Sequence, residues 1–167
     1  MHKQIIDYTE YRNLISKICR DITIDKWQPD YIVGITRGGL LPATMISQYF
    51  NISMRSLDVS LRDSKFPPTS NTSMAKDAYN GEKILIVDDI NDTGDTFNWI
   101  MKDWQNNYYP GNTSIWDHVW QDNVRFAVVV DNLSSKCKVD VAYAGMEINK
   151  AEKDIWIDFP YENWWAK

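Results

Sequence analysis

Cysteine is scarce in this chain: Cys19 and Cys137 are the two in 167 residues. They stand far apart, without the short spacing of a thiolate metal site. Cys19 falls on the apolar face of a helical pattern, so both are expected to be free thiols in a reducing compartment. No cluster of lysine and arginine stands out, and the net charge is -5, which argues against a general nucleic-acid binder. No apolar run is long enough to span a bilayer, and the residues after Met1 lack an apolar signal core. A cytoplasmic chain that engages neither nucleic acid nor membrane is expected. No internal repeat, linker or change of composition divides residues 1–167, which implies one domain.

What the chain does have is enough apolar material for a sizeable core, at 44% hydrophobic residues. Its most informative stretch is Ile84 to Thr96. Ile84-Leu85-Ile86-Val87 has the unbroken apolar character of a buried parallel strand. It ends in Asp88-Asp89, and after the spacers Ile90 and Asn91 comes Asp92-Thr93-Gly94-Asp95-Thr96, opening a helix to about Asn106. Carboxylates at the carboxyl end of a strand, beside a helix start, form the usual ligand crevice of an open α/β sheet. Free N–H groups and the hydroxyls of Thr93 and Thr96 can wrap a phosphate, and Gly94 lets the backbone approach it. Asp88 and Asp89 can hold vicinal hydroxyls or Mg²⁺. A phosphate grip beside a sugar grip makes a ribose-5-phosphate site.

A second junction supports the first. Tyr31-Ile32-Val33-Gly34-Ile35 is another apolar strand, running into Thr36-Arg37-Gly38-Gly39 and then a helix over Leu40–Phe50. The glycines expose backbone N–H groups, and Arg37 offers a planar fork of donors suited to phosphate oxygens.

The Ile84–Thr96 run resembles the phosphoribosyl-pyrophosphate (PRPP) signature of type I phosphoribosyltransferases, and Thr36–Gly39 resembles their pyrophosphate loop. In relatives that loop often carries a non-proline cis peptide, which would fall at Thr36-Arg37. The resemblance covers nearly the whole chain. It implies an α/β fold with a central parallel sheet, helices on both faces and a small hood, and Mg²⁺-dependent transfer of ribose 5-phosphate from PRPP to a free nucleobase. Asp88 and Asp89 would bind the ribose hydroxyls, directly or through Mg²⁺. Asp92 would act as general base. Asp92, Thr93, Gly94, Asp95 and Thr96 would clasp the 5′-phosphate, with Asp95 contributing its N–H and turning its carboxylate outward.

Elsewhere, Thr9 is expected to cap a helix over Glu10–Thr23, whose apolar residues share one face. The expected strands are Tyr31–Ile35, Ile52–Ser60, Ile84–Val87, Phe126–Val130 and Val139–Ala144. Residues 61–81 are polar, with Pro67-Pro68, and have the composition of a mobile loop. Relatives carry a catalytic loop there, so Arg62 and Lys65 are candidate phosphate contacts. The aromatic residues Tyr108, Tyr109, Trp116 and Trp120 belong either to a locally packed connection or to a subunit contact. Eight tryptophans are many for this length, and relatives pair through their pyrophosphate-loop side, so a homodimer or homotetramer is expected.

Ile155-Trp156-Ile157-Asp158-Phe159-Pro160-Tyr161 looks like the tail of bacterial xanthine-guanine (6-oxopurine) phosphoribosyltransferases. Residues from about 145 to 167 would then form the hood. The resemblance implies that Trp156 stacks on the base and Ile157–Asp158 contact its edge. Those relatives place a purine-binding lysine after the strand equivalent to Phe126–Val130. Here that place falls on Asp131-Asn132, with Asn132 the nearest match and Lys136 or Lys138 as substitutes. Asn132 could donate through its amide or accept from an exocyclic amine. Two further readings stay open: transfer to another base, or a regulator that binds PRPP without turning it over.

Overall fold

The computed structural model describes residues 1–59, 61, 65–111 and 113–167. The terminal strands β1 (His2–Ile5) and β7 (Ile155–Asp158) pair with each other in parallel. Between them α1 (Tyr8–Ile24) leads to β2 (Tyr31–Ile35), α2 (Leu40–Phe50), β3 (Met54–Leu57), α3 (Thr72–Tyr79), β4 (Ile84–Asn91), α4 (Asp95–Asn107), β5 (Val124–Asn132) and β6 (Tyr143–Ile148). The central sheet is parallel throughout, in the order β3-β2-β4-β5-β6. This is the architecture expected from the sequence.

The strands are apolar without interruption because both faces are covered. Alternate residues serve opposite layers. Ile32, Leu85, Val87, Ala127 and Val129 pack with Ile15, Ile18 and Ile22 of α1 and Ala43 and Ile46 of α2. Tyr31, Val33, Ile84, Ile86, Phe126 and Val128 pack with Met74 and Ala78 of α3 and Phe97, Ile100 and Trp104 of α4.

From β2 the chain moves outward to β3, then crosses back to β4 on the other side of β2. The order reverses between β2 and β4, and in such sheets the crevice at the carboxyl ends of those strands is the ligand site. Both loops singled out in the sequence leave from there.

Several boundaries differ from expectation. Helix α1 is capped by Asp7, whose carboxylate accepts from Glu10 N–H at 2.8 Å, so Tyr8 and Thr9 lie inside the helix. An acid at this end also suits the helix dipole. Strand β4 continues through Asn91, because β5 pairs with it as far as Asn91↔Asp131. The double acid therefore lies within the strand and not just beyond it. Strand β3 is shorter than expected, and Ser60 lies outside the described residues.

The polar stretch 61–81 contains α3. Asn71 caps it by accepting from Met74 N–H at 2.8 Å, and Met74, Ala75 and Ala78 form its buried face. A short helix with an alanine face carries a weak apolar signal, which its polar neighbours mask. The last sheet strand runs over Tyr143–Ile148, later than the expected Val139–Ala144. Val139 and Val141 pack against the core from an irregular segment, which mimics a strand pattern. Gly145 admits β6 beside α1, since a Cβ there would lie 2.8 Å from the Leu14 Cβ.

In the aromatic connection Tyr108, Trp116 and Trp120 pack locally, whereas Tyr109 is exposed. Trp116 Nε1 donates to the Tyr108 carbonyl at 2.8 Å, Trp116 stacks on Trp120, and Tyr79 meets Tyr108 edge-on.

Buried Asp103 on α4 holds the start of α3. It accepts from the Ser70 hydroxyl at 2.6 Å and from Asn71 N–H at 3.3 Å. Asn107 Nδ2 donates to the same carboxylate at 2.8 Å, so Asp103→Ala removes the acceptor of three donors, and chemical denaturation should show a loss of about 1–3 kcal/mol with an unchanged m-value.

Candidate functional site

A cleft of about 840 Å³ opens at the carboxyl ends of β2 and β4, roofed by residues from the β1–β7 hood. Thr36, Arg37, Gly38, Asp88, Asp89, Asp92 and Thr93–Thr96 line it from below, and Lys150, Trp156, Ile157 and Tyr161 from above. Two segments about fifty residues apart in sequence thus face one cavity.

Glycine makes this possible. A Cβ on Gly38 would overlap the Asp89 carboxylate, and one on Gly39 would overlap the Val87 carbonyl and come within 2.7 Å of the Ile35 carbonyl. Gly39 is buried beneath the loop, its N–H donating to Ile35 O at 2.8 Å, and it does not line the cleft. The Thr36-Arg37 peptide is cis. Thr36 donates to Asp58 at 3.1 Å, and Arg37 is exposed at the cleft edge.

The phosphate loop is braced from behind. Gly94 has φ +91°, and a Cβ there would overlap the Cys137 backbone. Lys136 N–H donates to the Thr93 carbonyl at 2.7 Å. Asn98 donates to the Lys136 carbonyl at 2.8 Å and accepts from Lys138 N–H at 2.9 Å. Lys136 and Lys138 thus lie on a supporting segment and do not line the cleft. Asp95 is exposed, and its N–H donates to the Thr93 hydroxyl at 3.2 Å.

Asp88 Oδ1 accepts from Asp89 N–H at 2.9 Å, while Asp89 accepts from Ile90 N–H at 2.7 Å and from the Tyr161 hydroxyl at 2.8 Å. Burial, and then the charge of Asp89, push the Asp88 carboxyl well above the usual carboxylate range. Burial and the same neighbour push the Tyr161 phenol upward, so it stays a donor.

The base end departs from expectation in two places. Asn132 is 4% exposed and its amide is engaged on both sides. Nδ2 donates to the Asp92 carbonyl at 2.8 Å, and Oδ1 accepts from the Ser134 hydroxyl at 2.9 Å and from Lys150 N–H at 3.0 Å. The amide is buried and does not line the cleft. Asp158 is also 4% exposed. It pairs with Lys3 at 3.0 Å and Lys167 at 3.1 Å, and its carbonyl accepts from Ile6 N–H at 3.0 Å. It pins the hood together and lies outside the cleft lining. Trp156, 46% exposed, and Ile157 do line the cleft.

Sequence reasoning missed Lys150 and Tyr161. Lys150 Nζ lies 2.9 Å from Asp92 Oδ1 and 6.0 Å from the centre of the Trp156 ring. No local pattern marks a lysine in a turn, although its place shortly before the Trp156 segment was a usable hint. Among the candidate contacts of the 61–81 stretch, Arg62 lies outside the described residues, and Lys65 is exposed and outside the lining.

Residues 2–163 match the phosphoribosyl transferase domain, and the chain belongs to that family. It is 29% identical over 137 residues to the xanthine-guanine phosphoribosyltransferase of Cereibacter sphaeroides, covering 78% of this chain and 68% of that one. It is 24% identical over 124 residues to xanthine phosphoribosyltransferase 1 of Saccharomyces cerevisiae, covering 60% and 59%. The purine phosphoribosyltransferase of Pyrococcus horikoshii has the same fold, with a TM-score of 0.67 at 21% identity over 98% of this chain and 96% of that one.

Because the Asp88 carboxyl is raised, the folded protein binds a proton there that the unfolded chain has released. Stability should therefore fall as pH climbs from the usual carboxylate range through the raised value. Asp88→Asn keeps the acceptor for Asp89 N–H and removes the titration. The Tm advantage of the ligand-free variant over the parent should be absent in acid and widen with pH, as read by thermal melts.

Proposed function

We propose that this chain transfers ribose 5-phosphate from PRPP to a purine, a 6-oxopurine by preference, releasing pyrophosphate and a nucleoside 5′-monophosphate. One observation carries the reading: the Asp88–Thr96 loop and the Thr36–Gly38 loop face one cleft beneath a hood bearing Trp156. The names of the xanthine-guanine and xanthine phosphoribosyltransferase relatives support the choice of a purine.

The family implies Mg²⁺, and the donor set suits it. Among the described residues no group of three or more candidate ligands is built, so the protein alone forms no cage. Mg²⁺ typically takes one or two carboxylates and completes its shell with substrate phosphates and water, which fits Asp88 and Asp89 facing a pyrophosphate loop. When bound, it would neutralise charge on the pyrophosphate.

Thr93–Thr96 hold the 5′-phosphate through backbone N–H groups and hydroxyls at the start of α4. Asp88 and Asp89 fix the ribose. The bond from C1′ to the pyrophosphate oxygen breaks with its electron pair leaving on oxygen, and the base nitrogen forms the new bond to C1′. Asp92 takes the proton that the ring releases. The hood excludes water from the cationic sugar, and the carboxylates face its charge.

Pyrophosphate release with PRPP and a panel of bases tests the reading; no release with any base would overturn it. Asp92→Asn should lower turnover by about 10²–10⁴-fold. The double change of Asp88 and Asp89 to Asn should abolish PRPP binding by calorimetry, and retained affinity would count against the ribose assignment.

The reading extends to a homodimer or tetramer paired near the pyrophosphate loop, where Leu41 and Tyr49 of α2 are exposed. Sedimentation at micromolar concentration should give an even assembly, and a monomer would refute it.

A further inference from the structure

We propose that Tyr161 is a positioning residue that orients the Asp89 carboxylate for the ribose hydroxyls, and that Tyr11 supports it from behind with a second hydroxyl donor for the Asp88–Asp89 pair. This deepens the transferase reading and rests on it. Neither tyrosine belongs to the two loops that the sequence marks as functional. Tyr161 follows β7 in the hood, and Tyr11 lies on the buried face of α1.

Asp89 lines the cleft, and each of its oxygens is engaged once. Oδ1 accepts from Ile90 N–H at 2.7 Å, and Oδ2 accepts from the Tyr161 hydroxyl at 2.8 Å. An ionised carboxylate has about two acceptor positions on each oxygen, so one on each is left for a sugar diol. The two bonds fix the plane of the group before a ligand arrives, and a rotor already held loses no further freedom on binding. Gly38 passes against the same Oδ2, where a Cβ would overlap it. The loop after β2 and the hood therefore both bear on one oxygen.

The ring that carries the donor is itself held. Tyr161 stacks on Phe159 with centroids 5.5 Å apart, and Tyr11 meets the two rings edge-on at 6.0 and 6.3 Å. Packed this way, the Tyr161 hydroxyl has little room to swing off Asp89. The Tyr11 hydroxyl is buried and, among the described residues, has no hydrogen-bond partner. Burial, and then the charges of Asp89 and Asp88, push that phenol upward, which puts a permanent donor near the acid pair. An unpaired buried hydroxyl is costly, and phenylalanine would fill the same space without it. Its use lies in donating to the pair when the sugar rearranges the contacts of the carboxylates.

The test is Tyr161→Phe, which keeps the stacked ring and removes the donor, with Tyr11→Phe as its companion. Affinities for inosine and 2′-deoxyinosine 5′-monophosphates are measured by calorimetry, since the two ligands differ in a single ribose hydroxyl. The parent should favour the ribonucleotide. Tyr161→Phe should lose about 3- to 10-fold of that preference, the range for one hydrogen bond, with affinity for the deoxynucleotide nearly unchanged. Tyr11→Phe should lower the same ratio, while its melting temperature without ligand stays level or rises because an unpaired hydroxyl is gone. A parental ratio in Tyr161→Phe would overturn the proposal, and a lowered melting temperature beside that ratio would make the tyrosine structural alone. A parental ratio in Tyr11→Phe would remove Tyr11 from it. Because the ratio needs no turnover, an inactive parent that still prefers the ribonucleotide sinks the transferase reading and leaves Tyr161 standing. An active parent indifferent to the 2′-hydroxyl does the reverse.

Discussion

The constraint on which this site depends is how closely three backbone segments crowd together. The loop after β2 lies against the Asp89 carboxylate and the Val87 carbonyl, and the loop after β4 lies against the backbone at Cys137. At each contact a methyl group would occupy space already filled, so Gly38, Gly39 and Gly94 set the depth of the cleft. Side chains such as Arg37, Asp88 and Thr93 can share one small ligand because the chain beneath them carries none. The parallel sheet supplies the opportunity through its reversal of order between β2 and β4, and the glycines make use of it.

The hood shares the core through Ile157 and Phe159, which pack with Tyr11 and Ile15, and polar contacts tie it to the cleft floor. Tyr161 reaches Asp89 at 2.8 Å, and Lys150 reaches Asp92 at 2.9 Å. Both contacts end on carboxylates assigned to ligand binding. Asp158, pinned by Lys3 and Lys167, holds the two hood strands to each other. The two sides of the cleft are therefore joined through Asp89 and Asp92.

The legible parts of the sequence were local. Ile84–Thr96 and Tyr31–Gly39 each run from an apolar strand through polar residues to a helix start within one short stretch, so pattern and chemistry coincide. Helix α3 was hidden because its buried face is small, with Ala75 and Ala78 contributing little apolar signal. The final strand was misplaced because Val139 and Val141 are buried from an irregular segment, which burial patterns cannot tell from a strand. Lys150 was illegible because its importance lies in a partner on another element. Asn132 stood in a position expected to touch the base, yet whether an amide faces ligand or backbone depends on two loops that the sequence does not bring together.

The pairing of β1 with β7 joins residues 2–5 to residues 155–158. Among the described residues no other strand pairing closes so large a loop, and such long-range contacts form late. A chain emerging from its ribosome can assemble β2, α2 and β4 while β7 is still unsynthesised. The loops that form the floor of the cleft are therefore synthesised before the hood that roofs it.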